Sequence, residues 1–255
     1  MTNFIDIADL TKTFADGQTA LKEVSFCVQR GEFVSLLGPS GCGKTTILRT
    51  IAGLEEASEG TVQVDADGRR RGGTGLVFQN AVLMPWASVF DNVWMPLRLA
   101  GQTRHEAGEA VQAMLALVGL TDRAQSYPRH LSGGMQMRVA IVRALITQPD
   151  LLLLDEPFAA LDEITRNELN RELLELHTRH GFTTVFVTHS VTEAVFLSQR
   201  IVVMASKPGR VHAEINVAHE GPRDLDYRSS SLFAKRCGQV STALVEATAV
   251  AQSFV

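Results

Sequence analysis

The chain has 255 residues, 45% of them hydrophobic, enough to fill a substantial core in one large domain or two modest ones without disulfide help. Its three cysteines, Cys27, Cys42 and Cys237, have no CxxC spacing, which argues against a disulfide framework or a zinc site and for free thiols in a reduced cytosolic protein. A net charge of −4 argues against a general nucleic-acid binder, since such proteins carry a basic face, and no nucleic-acid partner is expected.

Met1-Thr2-Asn3-Phe4 lacks a charged region followed by an apolar stretch, and no segment approaches the ~18 apolar residues of a membrane span. A soluble chain is expected, so any membrane role requires another subunit. The first 35 residues alternate short apolar runs (Phe4-Ile5, Leu21, Val24, Phe26, Val28) with turn formers (Asp16-Gly17, Arg30-Gly31), which predicts strands joined by tight turns. Phe33 to Leu37 is a mostly apolar strand that feeds a glycine-rich segment, and Thr46 to Ala52 then reads as a helix ended by Gly53.

Val62, Val64 and Leu76-Val77-Phe78 suggest further strands. The basic run Arg69-Arg70-Arg71, among Asp65, Asp67, Gly68, Gly72 and Gly73, reads as a solvated turn between them. From about Asn80 to Leu120 the pattern is helical: Thr103 with Glu106 has capping-box spacing, and Val111, Met114, Leu115 and Val118 recur at helical intervals. A second helix is predicted from Gly133 to Ile146.

Leu151 to Leu154 is apolar on every residue, as a parallel strand buried on both faces must be, and Thr183 to Thr188 is its expected companion. Between them, Asp162 to His180 carries Leu169, Leu173 and Leu176 on one side and stops at Gly181. That strand-helix-strand unit indicates α/β architecture. Past Gly209 the sequence turns polar and irregular and then alanine-rich, which predicts an appendage with some helix.

Chemistry is concentrated at a few points. Gly38-Pro39-Ser40-Gly41-Cys42-Gly43-Lys44-Thr45 matches GxxxxGK(S/T) in full, between a strand and a helix. The glycines let backbone N–H groups converge on phosphate oxygens, Lys44 neutralises the terminal phosphates, and the Thr45 hydroxyl can ligate magnesium. A helix dipole contributes only ~0.3 to 1 kcal/mol, so the amides, Lys44 and Mg2+ must dominate triphosphate binding.

Asp155 ends an all-apolar strand, where it can reach magnesium through water, and Glu156 follows; because successive strand side chains point oppositely, the two can divide metal binding and water activation. Read alone, the pair has a less favoured alternative, capping of the turn at Pro157. Ser132-Gly133-Gly134 offers a hydroxyl and open amides at a helix start, either a second phosphate contact or an ordinary N-cap. Gln79 and His189, each just past a strand, carry no assignment by themselves.

Taken in this order, the segments closely resemble the nucleotide-binding subunit of an ATP-binding cassette (ABC) transporter over residues 4–215. The resemblance implies a P-loop NTPase fold: a mixed, largely parallel sheet core, an N-terminal antiparallel β subdomain, an inserted helical subdomain at about 80–147 and an appendage at 216–255. It also implies ATP and Mg2+ as ligands. ATP contacts fall on Phe14, which stacks on adenine, the loop Gly38, Pro39, Ser40, Gly41, Cys42, Gly43, Lys44, Thr45 and Thr46, and the Q-loop Gln79; Thr45, Gln79 and Asp155 hold the metal. Lys44, Glu156 as base or water-orienting residue, and His189 as γ-phosphate contact carry catalysis. The signature Ser132, Gly133, Gly134 and Gln136 acts on the ATP of a partner copy, and Asp162 belongs to the D-loop.

Met84-Pro85-Trp86-Ala87-Ser88-Val89, the signature form ending in Met135, Asp155-Glu156-Pro157-Phe158 and Val203 to Gly209 resemble the ATPases of nitrate, sulfonate and taurine importers. That subgroup implies a homodimer of ATPase subunits, two membrane permease subunits, a periplasmic or extracellular solute-binding protein, and a peripheral place at the cytoplasmic face of the cell membrane. The region Met84 to Asn92, just after the Q-loop, resembles the surface that receives the membrane subunit, and Trp86 within it is either an exposed docking residue or a buried core tryptophan. Three positions depart from the family pattern: Met137, Val142, and Ser190 where aspartate is typical, although Ser190 with Glu193 keeps capping-box spacing. The alternative is a non-transport cassette of DNA-repair or translation type. Against it, no sustained heptads separate Thr45 from Leu131, and the chain holds one cassette where translation-type members carry two.

Overall fold

The computed structural model describes residues 3–65 and 73–252, so the turn expected at Arg69-Arg70-Arg71 lies outside the described residues. Two compact units are present, one built from residues 3–65 with 177–252 and the other from 73–176.

Chain order begins with β1 (Asn3–Thr13), β2 (Thr19–Gln29), β3 (Phe33–Leu37), α1 (Lys44–Ile51) and β4 (Glu59–Val64). β1 lies between β2 and β4, antiparallel to both, with Ile5 opposite Val28 and Ile7 opposite Val62. The hairpin between β1 and β2 turns at Asp16-Gly17, where the Asp16 carboxylate accepts from the Gln18 N–H at 2.9 Å and Gly17 adopts φ 84°. α1 ends at Ala52 because Gly53 supplies the left-handed conformation (φ 72°) that closes a helix C-terminus.

The second unit holds β5 (Thr74–Val77), α2 (Val89–Leu99), α3 (Gly108–Leu117), α4 (Gly133–Leu145), β6 (Leu151–Asp155) and most of α5 (Glu163–His180). β5 and β6 are parallel, with Leu76 opposite Leu153 and Val77 opposite Leu154. Leu151 to Leu154 are all buried, as the unbroken apolar run requires. Val93, Val111, Leu115, Val139 and Val142 pack α2, α3 and α4 into one apolar cluster. Val142 is wholly buried in that cluster, so its extra methyls relative to alanine fill core volume. The Thr103–Glu106 box forms, with the Thr103 N–H donating to Glu106 at 2.7 Å and the Glu106 N–H to Thr103 at 3.3 Å; it opens the turn before α3.

The chain then adds β7 (Thr183–Thr188), α6 (Val191–Leu197), β8 (Arg200–Ala205), β9 (Arg210–Asn216), α7 (Leu225–Ser229) and α8 (Ser231–Gln252) to the first unit. β3 lies between β7 and β8, parallel to both, and all five of its residues are buried. The irregular segment expected past Gly209 begins with a strand: β9 runs antiparallel to β8, with Ile201 opposite Ile215, and the chain is irregular from Val217 to Asp224. Its pattern escaped notice because β9 has no fully buried residue. Val240, Ala243 and Ala247 form a buried stripe on α8, which packs on β8 and α6. The three cysteines are free thiols.

Candidate nucleotide site

In the first unit, β3 delivers the chain into the loop Gly38 to Thr45. The parallel register sets Leu37 opposite Thr188 of β7, so Gly38 and His189 leave adjacent strands at the same carboxyl edge. Crevices at that edge are where α/β sheets place their ligands. His189 is exposed there.

The loop's shape is imposed by its glycines. A Cβ at Gly38 would lie 2.8 Å from both the Cys42 Sγ and the Met204 carbonyl oxygen, and one at Gly43 would lie 2.3 Å from Leu21 Cδ2. Gly43 and Gly41 have φ 87° and 76°, which L side chains rarely adopt. Open space surrounds Gly41, whereas Cys42 is wholly buried beneath the loop, and burial pushes its thiol pKa up against the opposing Lys44 ammonium. Cys42 therefore offers backbone, not sulfur, to a ligand.

α1 starts on Gly43, which has no side chain to cap it, and its first turn contains no acidic residue. The turn keeps the donor character of a helix start, suited to an anion. Lys44, at 5% exposure, folds its ammonium over the loop and donates to the Gly38 and Pro39 carbonyls at 2.8 and 2.9 Å. Ser40 is exposed, and Thr45 and Thr46 are half-buried on the first turn. Phe14 is 38% exposed beside the hairpin turn, with Lys12 Nζ 5.3 Å from its ring centroid.

The sequence does not show what Gly209 contacts. This glycine exchanges backbone hydrogen bonds with Ala20 and Lys22, both at 2.9 Å, and a Cβ there would lie 2.2 Å from the Cys42 carbonyl oxygen. A lone glycine beyond the motif gives no signal of this contact.

In the second unit, Gln79 and Asp155 follow paired positions of β5 and β6, so both emerge at the carboxyl edge of that pair. Asp155 is the last strand residue, but Glu156 does not continue the alternation expected of it. It adopts φ 47°, although it precedes Pro157, a position that favours extended backbone. The left-handed conformation costs about 1–2 kcal/mol for a residue with a Cβ. Strand alternation therefore ends at Asp155, and the direction of Glu156 is set by this sharp turn.

The signature segment starts α4. Ser132 caps it, accepting from the Met135 N–H at 3.3 Å, and Gly133 and Gly134 form its first turn. A Cβ at Gly134 would meet Thr165 Cγ2 at 2.5 Å. The Gln136 amide donates to the Pro128 and Leu131 carbonyls at 3.1 and 3.3 Å, holding the approach to the helix. Asp162 caps α5 by accepting from the Thr165 N–H at 3.0 Å, a bond that holds its carboxyl below the usual range. Met137 is buried.

Two further residues make contacts that the sequence does not show, because their partners are backbone atoms. Arg143 of α4 donates to the Ala81 and Val82 carbonyls at 3.0 and 2.9 Å, tethering the segment after Gln79. Asn92 accepts from the Met84 N–H and donates to the Met84, Ala87 and Ser88 carbonyls, fixing a turn on which Trp86 stands 76% exposed. Trp86 is thus not a core residue.

Residues 21–159 match the ABC transporter family. The chain belongs to that family. It is an ATP-binding subunit whose activity is ATP hydrolysis coupled to transport. The cassette is 44% identical to an aliphatic sulfonates import ATP-binding protein, SsuB 1, of Pseudomonas savastanoi pv. phaseolicola, covering 92% of this chain and 94% of the relative. It is 40% identical to the nitrate import ATP-binding protein NrtD of Synechocystis sp., covering 88% of each chain. Among solved structures, the ATP-binding cassette MJ0796, a dimer in a post-hydrolysis state bound to ADP and Pi, superposes with a TM-score of 0.74 at 33% identity, covering 84% of this chain and 99% of that one. The α/β fold, with its N-terminal antiparallel sheet, is that of the ABC ATPases. No helix among the described residues is long and apolar enough to cross a membrane.

Proposed function

We propose that the cassette is the ATP-hydrolysing subunit of an importer for a small anion, an aliphatic sulfonate, taurine or nitrate. The observation that carries this reading is the near full-length similarity to ATP-binding proteins of sulfonate and nitrate import. Two copies pair head to tail on two membrane permease subunits at the cytoplasmic face, supplied by a solute-binding protein outside. Residues 4–215 form the ATPase domain, with a helical subdomain at about 80–147 and the appendage at 216–255.

Each ATP engages the loop of one copy and the signature of the other. Phe14 presents a stacking face to adenine, and the amides from Gly41 to Thr46 receive the phosphates. Lys44 turns from its two carbonyl acceptors to the terminal phosphates. Thr45, Gln79 and Asp155 offer hydroxyl, amide and carboxylate oxygens, the hard donor set that suits Mg2+, and these residues would hold it. When bound, the metal supplies neutralisation of charge on the β- and γ-phosphates. Glu156 orients the attacking water and accepts its proton, His189 donates to the γ-phosphate, and Ser132, Gly133 and Gly134 of the second copy close the site.

A charged hydrogen bond contributes about 1.5–3 kcal/mol, so Lys44→Ala should raise the Kd for ATP roughly ten- to a hundredfold in equilibrium titration. Unchanged affinity would remove Lys44 from the phosphates. The import reading is tested in cells: loss of the gene should abolish growth on a sulfonate as sole sulfur source or nitrate as sole nitrogen source, and growth on every such source would sink it. Trp86→Asp should lose copurification with the permease while keeping ATP binding, because desolvating a carboxylate opposes burial of an interface centre. Undiminished copurification would place docking elsewhere.

A further inference from the structure

The segment after β9 holds the helix that follows His189. α6 has seven residues, too few to be stable by itself, so its position depends on burial and on what grips its ends. At its start, the Ser190 hydroxyl accepts from the Glu193 N–H at 3.3 Å. The return half of that box runs through Thr188, whose hydroxyl accepts from the Ser190 N–H at 3.0 Å and donates to the Glu193 carboxylate. At its other end, the grip comes from the tail. The Arg223 guanidinium donates to the carbonyls of Val195 and Phe196 at 3.2 and 2.8 Å, two of the groups a helix end leaves unpaired, and to that of Val217 at 3.2 Å. Arg228 of α7 lies 4.1 Å from the centroid of the buried Phe196 ring.

Arg223 is itself fixed. Burial lowers its pKa, and its guanidinium lies 5.9 Å from the centroid of Tyr227. Tyr227 is buried, stacks on His219 at 4.4 Å, meets the Phe233 ring edge-on at 5.3 Å, and accepts from Arg236 at 2.9 Å. Tail, Arg223 and the C-terminus of α6 are therefore one packed assembly.

His189 is the single residue between Thr188, locked by the pairing of β7 with β3, and Ser190, which caps α6. A displacement of α6 is taken up at His189. We propose that residues 217–252 are a positioning element for His189, acting through Arg223 and Arg228 on the end of α6, so that the tail sets the rate of hydrolysis without touching nucleotide. This rests on the assignment of His189 to the γ-phosphate.

The test uses the full-length chain carrying Arg223→Met, Arg223→Lys or Arg228→Leu, each with His189 intact and with His189→Ala. A misplacement of about 1 Å commonly lowers rate up to about a hundredfold, so Arg223→Met should cut kcat about ten- to a hundredfold with little change in KM for ATP. It should shift the His189 ring resonances in the NMR spectrum, Arg223→Lys should recover most of the rate, and the loss should vanish in the His189→Ala background. An equal loss in both backgrounds, or unchanged kcat and His189 resonances in the folded variant, overturns the proposal. If Arg223→Met does not fold, Arg228→Leu decides by the same resonances: a shift supports positioning and its absence overturns it. Should His189→Ala alone hydrolyse ATP at the normal rate, the catalytic reading of His189 fails, and the resonances still decide whether the tail positions it.

Discussion

Glu156→Gln is expected to bind ATP with near-normal affinity and to hydrolyse it at least about a hundredfold more slowly, since removing one transition-state contact costs about 2.7–4 kcal/mol. The substitution preserves shape and removes only the charge that orients and deprotonates water. It also leaves the turn intact, because glutamine tolerates φ 47° no worse than glutamate does. A backbone held in the left-handed region just before proline persists only where its surroundings enforce it, and such positions cluster at active sites. With hydrolysis blocked and closure unimpaired, the variant should accumulate as an ATP-bound dimer in size-exclusion chromatography. Rapid-quench turnover at the normal rate would release Glu156 from its role and leave its strained turn without a catalytic reason.

The phosphate loop was legible in the sequence because its chemistry is local: glycines, lysine and threonine act through the backbone they share. Strand ends were legible too, since Leu151 to Leu154 and Thr183 to Thr188 must be buried to form at all, and that fixes where Asp155 and His189 emerge. Glu156 shows the limit. Alternation along a strand gave a reason for two carboxylates to diverge, and the structure replaces it with a turn that no periodicity encodes. The contacts of Gly209 and Arg143 were invisible because each reaches backbone atoms far away in sequence, and those of Asn92 because a single side chain bonding the turn just before it leaves no repeating pattern. β9 was lost for a different reason: its residues are only half-buried, so apolar and polar types mix along it. Ser190 shows the converse, a local departure from the family whose capping role was readable from spacing, while its relay through Thr188 was not.

Ser132→Arg separates two readings of the signature segment that the fold permits. As an N-cap, Ser132 accepts one backbone hydrogen bond, and losing such a cap costs about 1 kcal/mol, too little to unfold the chain. As a phosphate contact, it serves a nucleotide bound by the other copy, and a bulky cation in its place obstructs closure. The variant should therefore bind ATP as an isolated chain, melt within a few degrees of the parent, and show no hydrolysis. Ser132→Asp sharpens the distinction: aspartate caps as well as serine and suits a helix N-terminus, so stability should be unchanged, yet its charge faces a γ-phosphate and hydrolysis should still fail. Mixing then decides where the defect lies. In a head-to-tail pair, a Ser132→Arg chain contributes an intact loop and a Lys44→Ala chain an intact signature, so each mixed dimer contains one whole site. Random pairing of two inactive proteins in equal amounts should recover about a quarter of normal activity if the two sites are independent. Recovery near zero would mean that loop and signature act within one copy, and the shared site would be lost with it.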